Sequence, residues 1–134
     1  MYRTDLIEKT TKGYRLKEDV IFWTSMTGFA ISTAFITLKA DGMVKLDSGF
    51  IWDGATKSPD IDAVLLASAL HDAFYRLIRF GKLPKKVKNV ADKCFRDEIL
   101  NSITAKTSWY QKLKIKIISE IYYTGVRWFG GIGL

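Results

Sequence analysis

The chain changes character at residues 53–60, and this change limits the possible fold classes more than any other feature of the sequence. The segment reads Asp-Gly-Ala-Thr-Lys-Ser-Pro-Asp, and these residue types favour loops. Before it, β-branched and aromatic residues form short runs typical of strands. After it, apolar residues recur at helical spacing. We therefore predict an α+β fold in a single domain (1–134), with a sheet part (1–52), a loop (53–60) and a helical part (61–129).

The predicted sheet is small and antiparallel. Residues 13–24 and 29–38 have the composition of strands, and residues 50–52 form a further short one. Asp41-Gly42 separates the second run from the strand-like residues 43–46. Asp-Gly between two such runs predicts a hairpin, because glycine adopts positive φ without a steric penalty.

Three helices are predicted, over 61–80, 87–102 and 108–129, the first of them ending at Gly81. The third helix has two apolar faces. One contains Trp109, Leu113, Ile117, Ile121 and Trp128, and the other Tyr110, Ile118, Tyr122, Val126 and Phe129. Such a helix is typical of a core or an oligomer interface. Its aromatic and basic residues also suit a helix that lies on a membrane surface.

The charge balance points to an anionic partner. Lysine and arginine total 21 against 14 aspartates and glutamates, a net charge of +7. Nucleic acid, an acidic lipid surface or an acidic protein would be attracted, although a plain basic surface explains the excess equally well. The single cysteine, Cys94, excludes an internal disulfide. We expect no signal peptide, since residues 1–15 carry charges throughout and lack an apolar core segment. We also expect no transmembrane helix, since no apolar run reaches about 18 residues.

His71, the only histidine, lies in the middle of the first predicted helix. Residues four apart share a helix face, so Tyr75 is its neighbour on an inward stripe that includes Val64 and Ile78. Asp92, on the inward face of the second helix, is the expected hydrogen-bond partner. A carboxylate that orients an imidazole makes it a general base. The alternative is a core histidine whose hydrogen bonds are satisfied, without any chemistry.

Asp72 is turned about 100° from His71 around the helix, toward the loop that begins at Asp53. Ca²⁺ takes six to eight oxygen ligands, and carboxylates beside a glycine-containing loop can supply several of them. Asp72 and Asp53 are therefore the predicted metal ligands. A base, a bound water and a metal together would hydrolyse an ester.

The order of the motifs resembles an uncharacterised domain family of tailed phages and prophages. Its pattern is a Gly-Phe-x-x-Asp-Gly-Ala-Ser/Thr loop, a His-Asp-x-x-Tyr helix, an Ala-Asp helix and a late Val-Arg-x-Phe-Gly. The matching segments are 49–56, 71–75, 91–92 and 126–130. The resemblance covers about residues 13–130 and implies a phage origin but no activity.

The two helices with the His-Asp-x-x-Tyr and Ala-Asp motifs are also similar to phospholipase A2 domains, and the closest spacing is that of parvovirus capsid proteins. This resemblance covers about residues 60–100. It implies that His71 is the general base, that Asp72 binds Ca²⁺, and that Tyr75 and Asp92 support the base.

Two main hypotheses follow. In the first, the chain is a phage-encoded, phospholipase-A2-like hydrolase that acts on an ester at an anionic membrane. In the second, it is a non-catalytic virion part (tail or connector) or host-interaction protein, with subunit contacts or a homo-oligomer through the third helix. Either implies a location in the virion or the host cytoplasm.

A third hypothesis is nucleic-acid binding through Lys85, Lys86, Lys88 and the Lys112–Lys116 stripe. A run of solvated lysines explains these residues equally well.

Overall fold

The computed structural model describes residues 6–53, 62–101 and 109–129. Seven strands precede three helices in these residues, which confirms the α+β class. The strands are β1 (Ile7–Thr10), β2 (Gly13–Leu16), β3 (Val20–Trp23), β4 (Ile31–Thr33), β5 (Ile36–Leu38), β6 (Met43–Leu46) and β7 (Ile51–Trp52). The helices are α1 (Asp62–Arg79), α2 (Lys88–Leu100) and α3 (Trp109–Phe129), with a short 3₁₀ turn, Lys85–Val87, before α2.

The strands form two small antiparallel sheets rather than one. The first has the order β1-β2-β7 and the second the order β3-β6-β5-β4. The predicted strand over 13–24 is thus divided between the sheets, because the backbone leaves the first sheet after Leu16 and enters the second at Val20. The predicted strand over 29–38 is likewise a β4–β5 hairpin, with Phe35 at a φ of 69° in its turn.

The Asp-Gly hairpin is confirmed. β5 and β6 pair with Leu38 opposite Val44, and the connecting turn closes through a hydrogen bond from the Gly42 amide to the Lys39 carbonyl, 2.9 Å. Gly42 has a φ of 93°, and a Cβ there would overlap the Thr24 carbonyl oxygen. This position therefore requires glycine for its conformation and for its space.

α1 is the central element of the fold. Buried apolar residues surround most of its circumference, which is typical of a helix enclosed by other elements. One side packs with the sheets, where the Trp52 indole donates a hydrogen bond to the Ser68 hydroxyl, 2.9 Å. Another side packs on α2. α1 ends as predicted, with Gly81 in the left-handed region at a φ of 74°.

α3 lies against a second apolar cluster formed by Val64, Ala67, Phe95 and Ile99 of α1 and α2. Of its two predicted faces, the one with Ile118, Tyr122 and Val126 makes this contact. The other remains exposed at Leu113, Ile117 and Ile121, whose side chains are 51–64% accessible. Within the described helices, none has the length and apolar character needed to cross a bilayer. The predicted segments at 54–61, 102–108 and 130–134 lie outside the described residues.

Candidate functional site

One carboxylate organises the polar residues between the helices. Asp92 on α2 is fully buried, and its Oδ1 accepts hydrogen bonds from two side chains of α1. His71 Nε2 lies 2.8 Å from this oxygen and the Tyr75 hydroxyl 2.7 Å. His71 and Tyr75 are four residues apart and so stand one above the other on the same helix face. The predicted contact of His71 with Asp92 is therefore confirmed.

The second oxygen of Asp92 faces two cations. Lys88 Nζ, one turn earlier on α2, is 2.9 Å from Oδ2, and Arg127 of α3 approaches it to 3.4 Å. Lys88 also donates a hydrogen bond to the Val126 carbonyl of α3, 3.1 Å. That carbonyl belongs to the last turn of α3, where backbone acceptors have no partner within the helix. Asp92 consequently receives donors from all three described helices.

These contacts set the protonation states of two residues. Burial raises the pKa of the Asp92 carboxyl, but hydrogen bonds from His71, Lys88 and Tyr75 outweigh burial and hold the pKa below its usual range. Burial, followed by the hydrogen bond to Asp92, raises the pKa of the Tyr75 phenol far above its usual value. Near neutral pH, Asp92 is therefore an anion and Tyr75 a neutral donor.

The His71 ring is held by two aromatic rings and the Asp92 carboxylate. It lies against the Tyr75 ring at 4.1 Å and the Phe95 ring at 5.2 Å between centroids, and its side chain is 13% exposed. Because Asp92 is an acceptor, the neutral imidazole carries its proton on Nε2. Nδ1 then has the lone pair, and no hydrogen bond joins it to another residue in the described part of the chain. This is the arrangement of an oriented general base.

Asp72 has a different environment. Its carboxylate forms an ion pair with Arg76, 2.8 Å, one turn further along α1. Arg76 also donates to the Ile51 carbonyl and lies over the Phe50 ring at 4.6 Å, so it joins α1 to the first sheet. Burial raises the pKa of Asp72, Arg76 opposes this effect, and the carboxylate of Asp53 raises the pKa further.

The described residues do not by themselves form a calcium site. Asp53 and Asp72 are close enough to interact electrostatically, but the carboxylate of Asp72 is already paired with the Arg76 guanidinium. No group of three or more acidic, histidine or cysteine side chains is placed to hold a metal within 6–53, 62–101 and 109–129. Calcium needs six to eight oxygens. The remaining predicted ligands would come from residues 54–60, outside the described residues, so calcium binding stays a prediction.

Three cations in this region were not among the predicted site residues. Lys88 and Arg76 each lie four residues from the aspartate they contact, a spacing visible in the sequence. Arg127 reaches Asp92 only because α3 packs across α2, which no local pattern indicates. Comparison with protein-family models, curated proteins and solved structures gave no match to this chain.

Proposed function

We propose that the chain is a phospholipase-A2-like ester hydrolase with His71 as its general base. The observation that supports the proposal most directly is the 2.8 Å contact between His71 Nε2 and the buried Asp92 carboxylate. In the proposed reaction, Nδ1 accepts a proton from water as the water oxygen attacks the ester carbonyl. The same nitrogen returns the proton to the leaving alcohol when the carbon–oxygen ester bond breaks.

Asp92 and Tyr75 are positioning residues in this proposal. The carboxylate keeps the proton of the neutral ring on Nε2 and stabilises the imidazolium that forms when Nδ1 is protonated. Tyr75 and Lys88 hold the carboxylate in place from opposite oxygens. No step is assigned to calcium, because the described residues do not form a site for it.

The surface of α3 supports action at an anionic membrane. Leu113, Ile117 and Ile121 form an exposed apolar stripe at four-residue spacing, and Lys116 beside them is exposed. The whole chain has a net charge of +7. A helix that combines an apolar stripe with basic residues binds the headgroup region of anionic bilayers. The resemblance to phospholipase A2 domains agrees with a lipid ester as substrate.

The second candidate is a non-catalytic phage virion or host-interaction protein. The specific observation in its favour is that every acidic group of the cluster is already paired: Asp92 with donors from three helices, and Asp72 with Arg76. A buried polar network that is fully satisfied rigidifies a fold without any catalysis. In this case the exposed stripe on α3 would contact another phage protein or a second copy of the chain.

The two candidates are separated by fatty-acid release from phosphatidylglycerol vesicles, measured with calcium and with a chelator. Wild-type protein is compared with His71→Asn, which keeps a polar side chain but cannot exchange a proton near neutral pH. Lys93→Gln, an exposed position on α2, is the matched control. We expect release by wild type and the control, and a loss of at least about a hundredfold in His71→Asn.

Thermal melts accompany the assay. For the hydrolase, His71→Asn should remain folded under assay conditions while its turnover is lost. For a structural network, its main effect is a destabilisation of about 1–3 kcal/mol. If folded wild-type protein releases no fatty acid in either arm, the hydrolase proposal is wrong and the second candidate stands.

A further inference from the structure

A cavity lies on a different face of α2 from Asp92, between this helix and the end of β3. Its volume is about 330 Å³, at the lower end of the range for small-ligand sites. The residues of α2 and its C-terminus that line it are three or four positions apart, so they lie on one side of the helix. The lining includes Trp23, Ser25, Cys94, Asp97, Glu98 and Asn101. None of these residues takes part in the proposed hydrolysis.

The α2 side of the cavity is negative. Asp97 places a carboxylate at its wall, and the Asp97 side chain is 53% exposed. α2 ends here, and its last turn has no basic residue. The carbonyls at a helix C-terminus have partial negative charge, which adds to that of the Asp97 carboxylate. Although the whole chain has a net charge of +7, the local charge at this cavity is negative and favours a cation.

Arg96 forms an ion pair with Asp97, with 3.7 Å between Nε and Oδ1. Its guanidinium lies over the Tyr123 ring at 4.6 Å and also approaches Glu120, both on α3. It is thus oriented toward α3 and forms no part of the cavity wall. The carboxylate of Asp97 remains accessible from the cavity.

The β3 side of the cavity presents an aromatic ring. Trp23 is 70% exposed, although indole is among the side chains that gain most from burial. Tryptophan is the best aromatic partner for a cation, and its face can take an ammonium that also meets a carboxylate. Leu100 and the buried Cys94, both on α2, add apolar surface to the lining. A lining that combines an aromatic ring, some apolar surface and a carboxylate suits an organic cation better than a hydrated metal ion, which needs several oxygen ligands.

We propose that this cavity binds a small organic ammonium ion of the choline type, with its positive nitrogen between the Trp23 ring and the Asp97 carboxylate. The alkyl part of the ion contacts Leu100 and Cys94. The site is independent of the proposed hydrolysis, since it shares no residue with it.

The test is a titration of the protein with choline chloride, followed by two-dimensional NMR at constant ionic strength with sodium chloride as the reference. We expect saturable shifts at the Trp23 indole and at the amides of Ser25, Asp97 and Asn101. Trp23→Leu should weaken binding by about fivefold or more. Asp97→Asn should weaken it by about three- to fivefold. Asp47→Asn, at a carboxylate that is 43% accessible and lies outside the cavity lining, should bind as wild type does.

A neutral carbon analogue of choline, dimethylbutanol, tests whether charge matters. The proposal expects it to bind at least about fivefold more weakly than choline, because it lacks the charge that the ring and carboxylate recognise. Equal binding of the two compounds would show an apolar pocket and overturn the proposal. It is also overturned if choline and sodium produce the same shifts, or if folded Trp23→Leu binds choline as tightly as wild type.

Discussion

Asp92→Asn is the most informative single substitution in this protein. The wild-type carboxylate accepts from His71 and Tyr75 on one oxygen and from Lys88 and Arg127 on the other. Asparagine keeps one oxygen but replaces the other with an amide that can only donate. If the remaining oxygen points toward α1, the new amide nitrogen faces the Lys88 ammonium, and two hydrogen-bond donors then face each other. The negative charge that attracts Lys88 and Arg127 is also lost.

The magnitude follows from the exposure of the partners. Removing one partner of a buried ion pair costs about 3–5 kcal/mol. The side chains of Lys88 and Arg127 are 19% and 37% exposed, so water compensates part of the loss. We expect a decrease of about 2–4 kcal/mol in the free energy of unfolding at neutral pH. For a domain of this size, this corresponds to a decrease in Tm of roughly 6–20 °C.

The assay is urea unfolding of wild type, Asp92→Asn and the surface control Asp47→Asn, which should lose less than about 0.5 kcal/mol. The pKa of Asp92 is lowered in the folded state, so its stabilising effect is present above the unfolded pKa of about 3.9. This effect is lost as pH falls through the lower, folded pKa. The deficit of Asp92→Asn should therefore shrink in acid. A deficit equal to that of Asp47→Asn at neutral pH, or one independent of pH, would refute this account.

Three further substitutions test other features. Tyr75→Phe removes one donor to Asp92 and should lower the free energy of unfolding by about 1–2 kcal/mol in urea melts; an unchanged stability would contradict the hydrogen bond. Gly42→Ala should destabilise by about 2 kcal/mol or more, and the matched Gly28→Ala, also at positive φ but in open space, by about 1 kcal/mol; equal thermal melts would contradict the overlap at the hairpin. Ile117→Glu should change stability by less than about 0.5 kcal/mol yet weaken sedimentation with anionic vesicles; unchanged sedimentation would remove α3 from the membrane contact.

The helices were predictable because their signals are local and repeated. The observed bounds of α1 and α2 differ from the predicted ones by one or two residues, and the glycine that ends α1 was visible in the sequence. The sheet was harder to predict. β1 was missed because Ile7–Thr10 is four residues long and carries two charges. The turn between β4 and β5 has Phe35 in the left-handed region of φ, and the sequence there has no glycine, asparagine or aspartate that would predict such a turn.

The contact between His71 and Asp92 was predictable from the sequence, but the cations around Asp92 were less so. Helical spacing was enough to place Tyr75 beside His71 and to predict Asp92 as the partner of His71, whereas the hydrogen bond from Tyr75 to Asp92 was not predicted. The same spacing, applied to the cations, would have found Lys88 and Arg76. Arg127 depends on the way α3 crosses the other helices, which is tertiary information that no short motif contains. Whether the cluster is catalytic depends on chemistry rather than geometry, so that part stays a prediction.

The Asp92 cluster has a consequence for the evolution of this chain. The residues around the carboxylate come from three helices, and each of them contacts the same charge. Loss of the aspartate would leave Lys88 and Arg127 without their counter-ion, whereas loss of either cation leaves the anion partly uncompensated. Selection should therefore act on these positions as a set. Relatives that replace Asp92 with an apolar residue should also replace both cations, and would keep the helix packing without the means to orient His71.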